Sequence, residues 1–78
     1  MTQQPSVHLE ESSVQLVVYD LEAYKRRLGR NFDQATDHHT RVWYFNRYNN
    51  TENTIQWLCA TYNLKRKHKP HKLKFENV

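Results

Sequence analysis

Apolar and polar positions change period several times along the chain. In Ser13–Tyr19, Val14, Leu16 and Val18 alternate against Val17 and Tyr19, a period of two that predicts a strand. From Asp20 the period lengthens. Leu21, Tyr24 and Leu28 stand at i, i+3 and i+7 and predict a short helix. Asp20 suits its N-cap, and Gly29, the only glycine, suits a left-handed C-terminal residue. Residues 31–40 are mostly polar and predict a loop with Phe32 tucked into the core edge.

Arg41–Tyr48 carries the densest aromatic composition, four residues of eight, with a β-branched Val42. Such residues favour a pleated, half-buried surface and predict the central strand. Alternation places Arg41, Trp43, Phe45 and Arg47 on one face and Val42, Tyr44, Asn46 and Tyr48 on the other. Asn49-Asn50 predicts a turn, with Asn50 or Thr51 capping a second helix. Ile55, Leu58, Cys59 and Tyr62 form an apolar stripe at helical spacing, flanked by Trp57, Thr61 and Leu64. That helix is expected to run from about Glu52 to about Lys67, with Pro70 preventing continuation. Leu73 and Phe75 alternate with Lys72, Lys74 and Glu76 and predict an edge strand.

The expected fold is therefore α+β, in the order β-α-β-α-β: a three-stranded sheet covered on one face by two helices. Residues 1–12 are polar and acidic and are expected to form a flexible tail; residues 13–78 form the single domain. The uncovered sheet face admits a homodimer. A chain of 78 residues buries a modest core, worth roughly 3–5 kcal/mol, and oligomerisation is a common remedy.

Charge sharpens this picture. Residues 1–24 contain four acidic and no basic residues, a net of −4; residues 25–78 contain twelve basic and four acidic residues, a net of +8. Asymmetry of this kind points to an interaction surface. Lys65, Arg66, Lys67, Lys69, Lys72 and Lys74 gather six cations into ten positions. Phosphate backbones attract such clusters by counterion release, and the composition also suits a nuclear-localisation patch. The ordinary alternative is a solvated helix end. Lys25, Arg26, Arg27 and Arg30, expected on the exposed side of the first helix, extend the set.

Two further surfaces are candidates. On the Arg41/Trp43/Phe45/Arg47 face, rings interleaved with arginines match the way single strands are stacked and held. Its plainer role is core, with arginine stems running out to water. Tyr44 and Tyr48 on the other face suit a protein partner.

Other chemistry has little support. His38-His39, Cys59, His68 and His71 lack the paired spacing of a zinc site, and no metal or other cofactor is implied. Cys59 lies on an apolar stripe, where a buried thiol is no nucleophile. One glycine rules out a glycine-rich phosphate loop, and a helix-turn-helix over residues 55–72 fails at Pro70. A lone cysteine, and no signal peptide or apolar run at the N-terminus, suit an intracellular protein of cytoplasm or nucleus. No stretch approaches the roughly 18 apolar residues of a membrane span.

The expectation is a non-enzymatic protein that binds nucleic acid, DNA or RNA. Lysines and arginines contact phosphates, and Trp43, Tyr44 or Tyr48 touch bases. The alternative is a module or inhibitor that binds an acidic protein surface.

Overall fold

A computed structural model describes the backbone of residues 6–75 and the side chains of residues 13–75. It contains two long helices, α1 (Ser6–Gln34) and α2 (His38–Tyr62), folded into an antiparallel hairpin. Among the described residues there is no strand, so the three-stranded α+β arrangement is wrong. Residues 6–12 belong to α1, and residues 1–5 and 76–78, with Glu76 of the expected edge strand, lie outside the described residues.

The physical reason is a heptad seam. On α1, Val14, Val18, Leu21, Lys25, Leu28 and Phe32 recur at spacings of four and three and turn inward to varying depth. On α2, Arg41, Phe45, Tyr48, Glu52, Ile55 and Cys59 do the same. This is the repeat of two helices packed along a shared seam. Alternation in Ser13–Tyr19 is incidental: Val18 is buried, whereas Leu16, assigned to the same face, is 63% exposed. The aromatic stretch Arg41–Tyr48 is likewise helical, and its inward positions run on into Glu52 and Ile55.

The connection is short. Asp37 caps α2, its carboxylate accepting from the Thr40 N–H at 2.9 Å and the Thr40 hydroxyl at 3.1 Å. Arg41 closes the end of α1, donating to the carbonyls of Phe32 at 2.8 Å and Ala35 at 3.1 Å. The expected loop over 31–40 therefore shrinks to residues 35–37.

Gly29 does not end a helix. It lies inside α1 where the Tyr48 ring approaches, and a Cβ there would stand 3.1 Å from Tyr48 Cε2. Likewise Asn50 and Thr51 cap nothing. The Thr51 hydroxyl bonds back to the Arg47 carbonyl at 2.7 Å, which lets it sit mid-helix. The end of α2 falls at Tyr62, earlier than Lys67, because Asn63 adopts left-handed geometry (φ 55°, ψ 51°).

Residues 64–75 form no edge strand. They return as an irregular strap, bent at Lys67 and His68, along the groove between the helices, antiparallel to α2. Lys65 lies beside Gln15, His71 beside Tyr48, and Phe75 among Phe32, Phe45 and His38.

Candidate anion-binding ridge

The strap is held mainly through its peptide groups. Gln15 grips Lys65 twice, donating to its carbonyl at 2.8 Å and accepting from its N–H at 3.3 Å. Asn49 grips Leu73 in the same way, at 3.2 and 2.8 Å. Between these clamps the Glu22 carboxylate accepts the N–H groups of Lys67 and His68 at 3.2 and 3.3 Å.

One side chain anchors the strap in the interior. Arg66 donates from Nη1 and Nη2 to Glu52 at 2.7 and 2.9 Å, and from Nε to Glu22 at 3.2 Å. Lys25 meets Glu52 from α1, and Gln56 donates to it at 2.7 Å. Four donors thus fill the acceptor sites of one carboxylate that has no exposed surface. Burial alone would raise the Glu52 carboxyl. The hydrogen bonds from Arg66, Lys25 and Gln56 outweigh it and hold the group at about 2. Hydrogen bonds to Glu52, against the cost of burial, push Arg66 upward.

Arg66 is therefore committed to the chain's own carboxylates. The other strap cations are placed differently. Lys65, Lys69, Lys72 and Lys74 are exposed, and Lys67 reaches over the Tyr19 ring at 4.3 Å. Among the described residues none of these five lysines forms an ion pair, and neither do Arg26, Arg27 or Arg30. Arg26 joins the strap by donating to His68 Nε2 at 2.6 Å, a contact that places the ring proton on Nδ1. Arg27 lies over Tyr24 at 5.7 Å.

The structure separates the remaining candidates. Arg41 stacks on Phe32 at 4.1 Å while it caps α1. On α2 the exposed positions Trp43, Arg47, Asn50, Thr54 and Trp57 repeat at spacings of four and three, opposite the seam. Arg47 covers the Trp43 ring at 4.7 Å, and Tyr44 packs edge-on against it at 5.1 Å. Tyr48 is half-buried and bonds His71 Nδ1 at 2.8 Å. Burial, helped by the Glu52 charge, raises its phenol. Burial also raises the Cys59 thiol.

Where strap and helices meet, a cleft of about 200 Å3 opens, lined by Glu22, Lys25, Arg26, Tyr48, Arg66, His68, Lys69 and His71. Glu22, Glu52, Gln15 and Asn49 were not among the sequence candidates, and Lys25, expected on the exposed side of the first helix with Arg26, Arg27 and Arg30, is buried instead. Heptad spacing puts Lys25 and Glu52 on the inner seam; Gln15, Glu22 and Asn49 lie one position off it, and no such spacing picks them out.

Among the described residues no helix is long and apolar enough to cross a membrane. No three His, Cys, Asp or Glu side chains there gather as a metal requires. No protein-family model, curated protein or solved structure matches the chain.

Proposed function

We propose that the protein is a non-enzymatic binder of nucleic acid, which it holds by its phosphates along the ridge formed by the strap and α1. The observation that carries this reading is the division of labour among the cations. Arg66 and Lys25 take up the buried carboxylates, leaving Lys65, Lys67, Lys69, Lys72 and Lys74 without a carboxylate partner among the described residues. The strap bends at Lys67 and His68 and runs from beside Gln15 to beside Phe32, about 26 Å along α1 at about 1.5 Å per residue. That length parallels about seven phosphates of one duplex strand at about 3.4 Å each. Arg26, Arg27 and Arg30 supply charge from α1, and Lys67 keeps its ammonium at the surface over Tyr19.

Binding to labelled single- and double-stranded oligonucleotides across a salt series tests it. Six contacts, the five lysines and Arg26, give a slope of log K against log salt of about −4.2 for single strands and about −5.4 for duplex. No binding at low salt overturns the reading. A lone cysteine and a nucleic-acid ligand fit cytoplasm or nucleus.

A second reading has its own observation. Trp43 and Trp57 are 49% and 61% exposed on the outer stripe of α2, about 21 Å apart along the helix. Tryptophan beside arginine is the composition of a protein-binding centre. The open sheet face expected to receive a second copy does not exist, so this stripe is the surface such a partner would use. A stoichiometric protein retained from nuclease-treated lysate, and lost on Trp43→Ala/Trp57→Ala, favours this reading. Light scattering gives the oligomeric state.

A further inference from the structure

We infer that the cleft at the centre of the strap is a binding site for a doubly charged phosphate group, free or at the end of a nucleic-acid strand. The inference deepens the nucleic-acid reading but stands on a different feature: a concave site where three segments converge, in place of a linear ridge. Arg26 comes from α1, Tyr48 from α2, and His68, Lys69 and His71 from the strap.

The charge balance favours an anion. The buried carboxylates Glu22 and Glu52 are matched by Lys25 and Arg66, with Arg66 bonded to both. Glu22 is further occupied by two strap N–H groups and is almost wholly buried. The negative charge beside the cleft is thus already answered, while Arg26 and Lys69 have no carboxylate partner among the described residues.

The donors suit phosphate. Arg26 uses Nη1 on His68 and keeps its other N–H groups. Lys69 brings a mobile point charge. Tyr48 and His71 already share a hydrogen bond at 2.8 Å and present polar atoms at the rim. A terminal phosphate carries about −1.5 to −2 at neutral pH, against −1 for a backbone diester, so a pocket with two unanswered cations prefers it. An occupant would bridge α1 to the strap and so hold the strap down.

The test uses the full chain. Thermal unfolding and 31P line width are followed with inorganic phosphate against chloride at matched ionic strength. Wild type and Asn53→Gln, an exposed α2 position outside both ridge and cleft, are expected to respond alike. Lys69→Gln, and Arg26→Gln with Lys69→Gln, weaken the response by about tenfold or more, the usual loss with a charge-assisted bond. These side chains are exposed, so the variants keep the fold, which circular dichroism checks. A phosphate response equal in wild type and the double variant, or absent from both, overturns the site.

Oligonucleotides with a 5′-phosphate or a 5′-hydroxyl identify the source. A preference for the 5′-phosphate that vanishes in the double variant assigns the cleft to strand ends. A phosphate response without that preference assigns it to the free ion. Oligonucleotide binding with no phosphate response removes the cleft and leaves the ridge. A phosphate response with no oligonucleotide binding does the reverse.

Discussion

Lys25 and Glu52 meet across the middle of the hairpin, with side chains 7% and 0% exposed. Each occupies a seam position where a two-helix packing ordinarily places an apolar residue. Neither can be buried alone, so the pairing favours the register in which they coincide. That same register brings Gly29 against Tyr48 and Phe32 towards Phe45, ring centroids 6.5 Å apart. Arg66 then closes the cluster from outside, which ties the docking of the strap to the alignment of the helices.

Removing Arg66 should therefore be costly. Arg66→Met leaves two buried carboxylates with one cation between them. A loss of about 3–5 kcal/mol is expected by urea denaturation, as for other broken buried pairs. The strap should also loosen, so trypsin should cut after Lys65 and Lys67 faster than in wild type. Unchanged stability and unchanged cleavage would mean that the strap is held by its clamps alone.

Replacing the whole charged layer should behave differently. Lys25→Met, Glu52→Leu and Arg66→Met together remove every group that needs a partner at Glu52, and such swaps are often neutral or stabilising by about 1–4 kcal/mol. Glu22 is buried and must become Gln in the same variant. The expected penalty is loss of a single register, seen as broadened amide spectra at undiminished helicity. A sharp spectrum would show that the apolar seam aligns itself.

Acid should unfold the chain through Glu52. Its carboxyl lies at about 2 in the folded protein, against an ordinary 4.5. A depressed value stabilises the fold above the ordinary one, and that stability drains away as pH falls from about 4.5 towards 2. The full amount is on the order of 3 kcal/mol. Melting temperature measured from pH 6 to pH 2 should drop across that interval in wild type. It should drop less in Glu52→Gln, which starts lower. Parallel curves for the two proteins would contradict the assignment.

Gly29 gives a test of packing against propensity. Alanine inside a helix gains about 1 kcal/mol over glycine. Here the new methyl must displace the Tyr48 ring, which lies 3.1 Å from the Cβ position and is held by Lys25 and His71. Gly29→Ala should thus return less than the full gain in wild type and nearly all of it when Tyr48 is also alanine. Equal gains in both backgrounds would rule out the steric restraint.

Asp37 should matter through its cap. Asp37→Ala removes the acceptor for the Thr40 N–H at the start of α2 and should cost about 1 kcal/mol. Asp37→Ser should recover much of it. Chemical denaturation at neutral pH measures both.

Two helical stretches were visible in the residues; the strands, loop and caps read around them, and the architecture, were not. Leu21, Tyr24 and Leu28 do lie on a helix, and so do Ile55, Leu58, Cys59 and Tyr62. What hid the hairpin was charge in the seam. With Lys25 and Glu52 set aside as surface residues, the heptads break in the middle, and short period-two runs at Ser13–Tyr19 and Arg41–Tyr48 become the stronger signal. Gly29 and Asn50 then looked like punctuation, because nothing local reveals that Tyr48 sits over one and a helix runs through the other. The basic cluster was plain from composition. That Arg66 faces inward while its lysine neighbours face water depends on Glu22 and Glu52, more than a dozen positions away, and no local pattern carries it.

The two amide grips, Gln15 on Lys65 and Asn49 on Leu73, touch only atoms that every non-proline residue possesses. Lysines at positions 65, 72 and 74 are in that sense interchangeable beads on a tethered string. Their number and sign could be rewritten, one by one, to retune how strongly the molecule attracts its target while the scaffold beneath stays as it is.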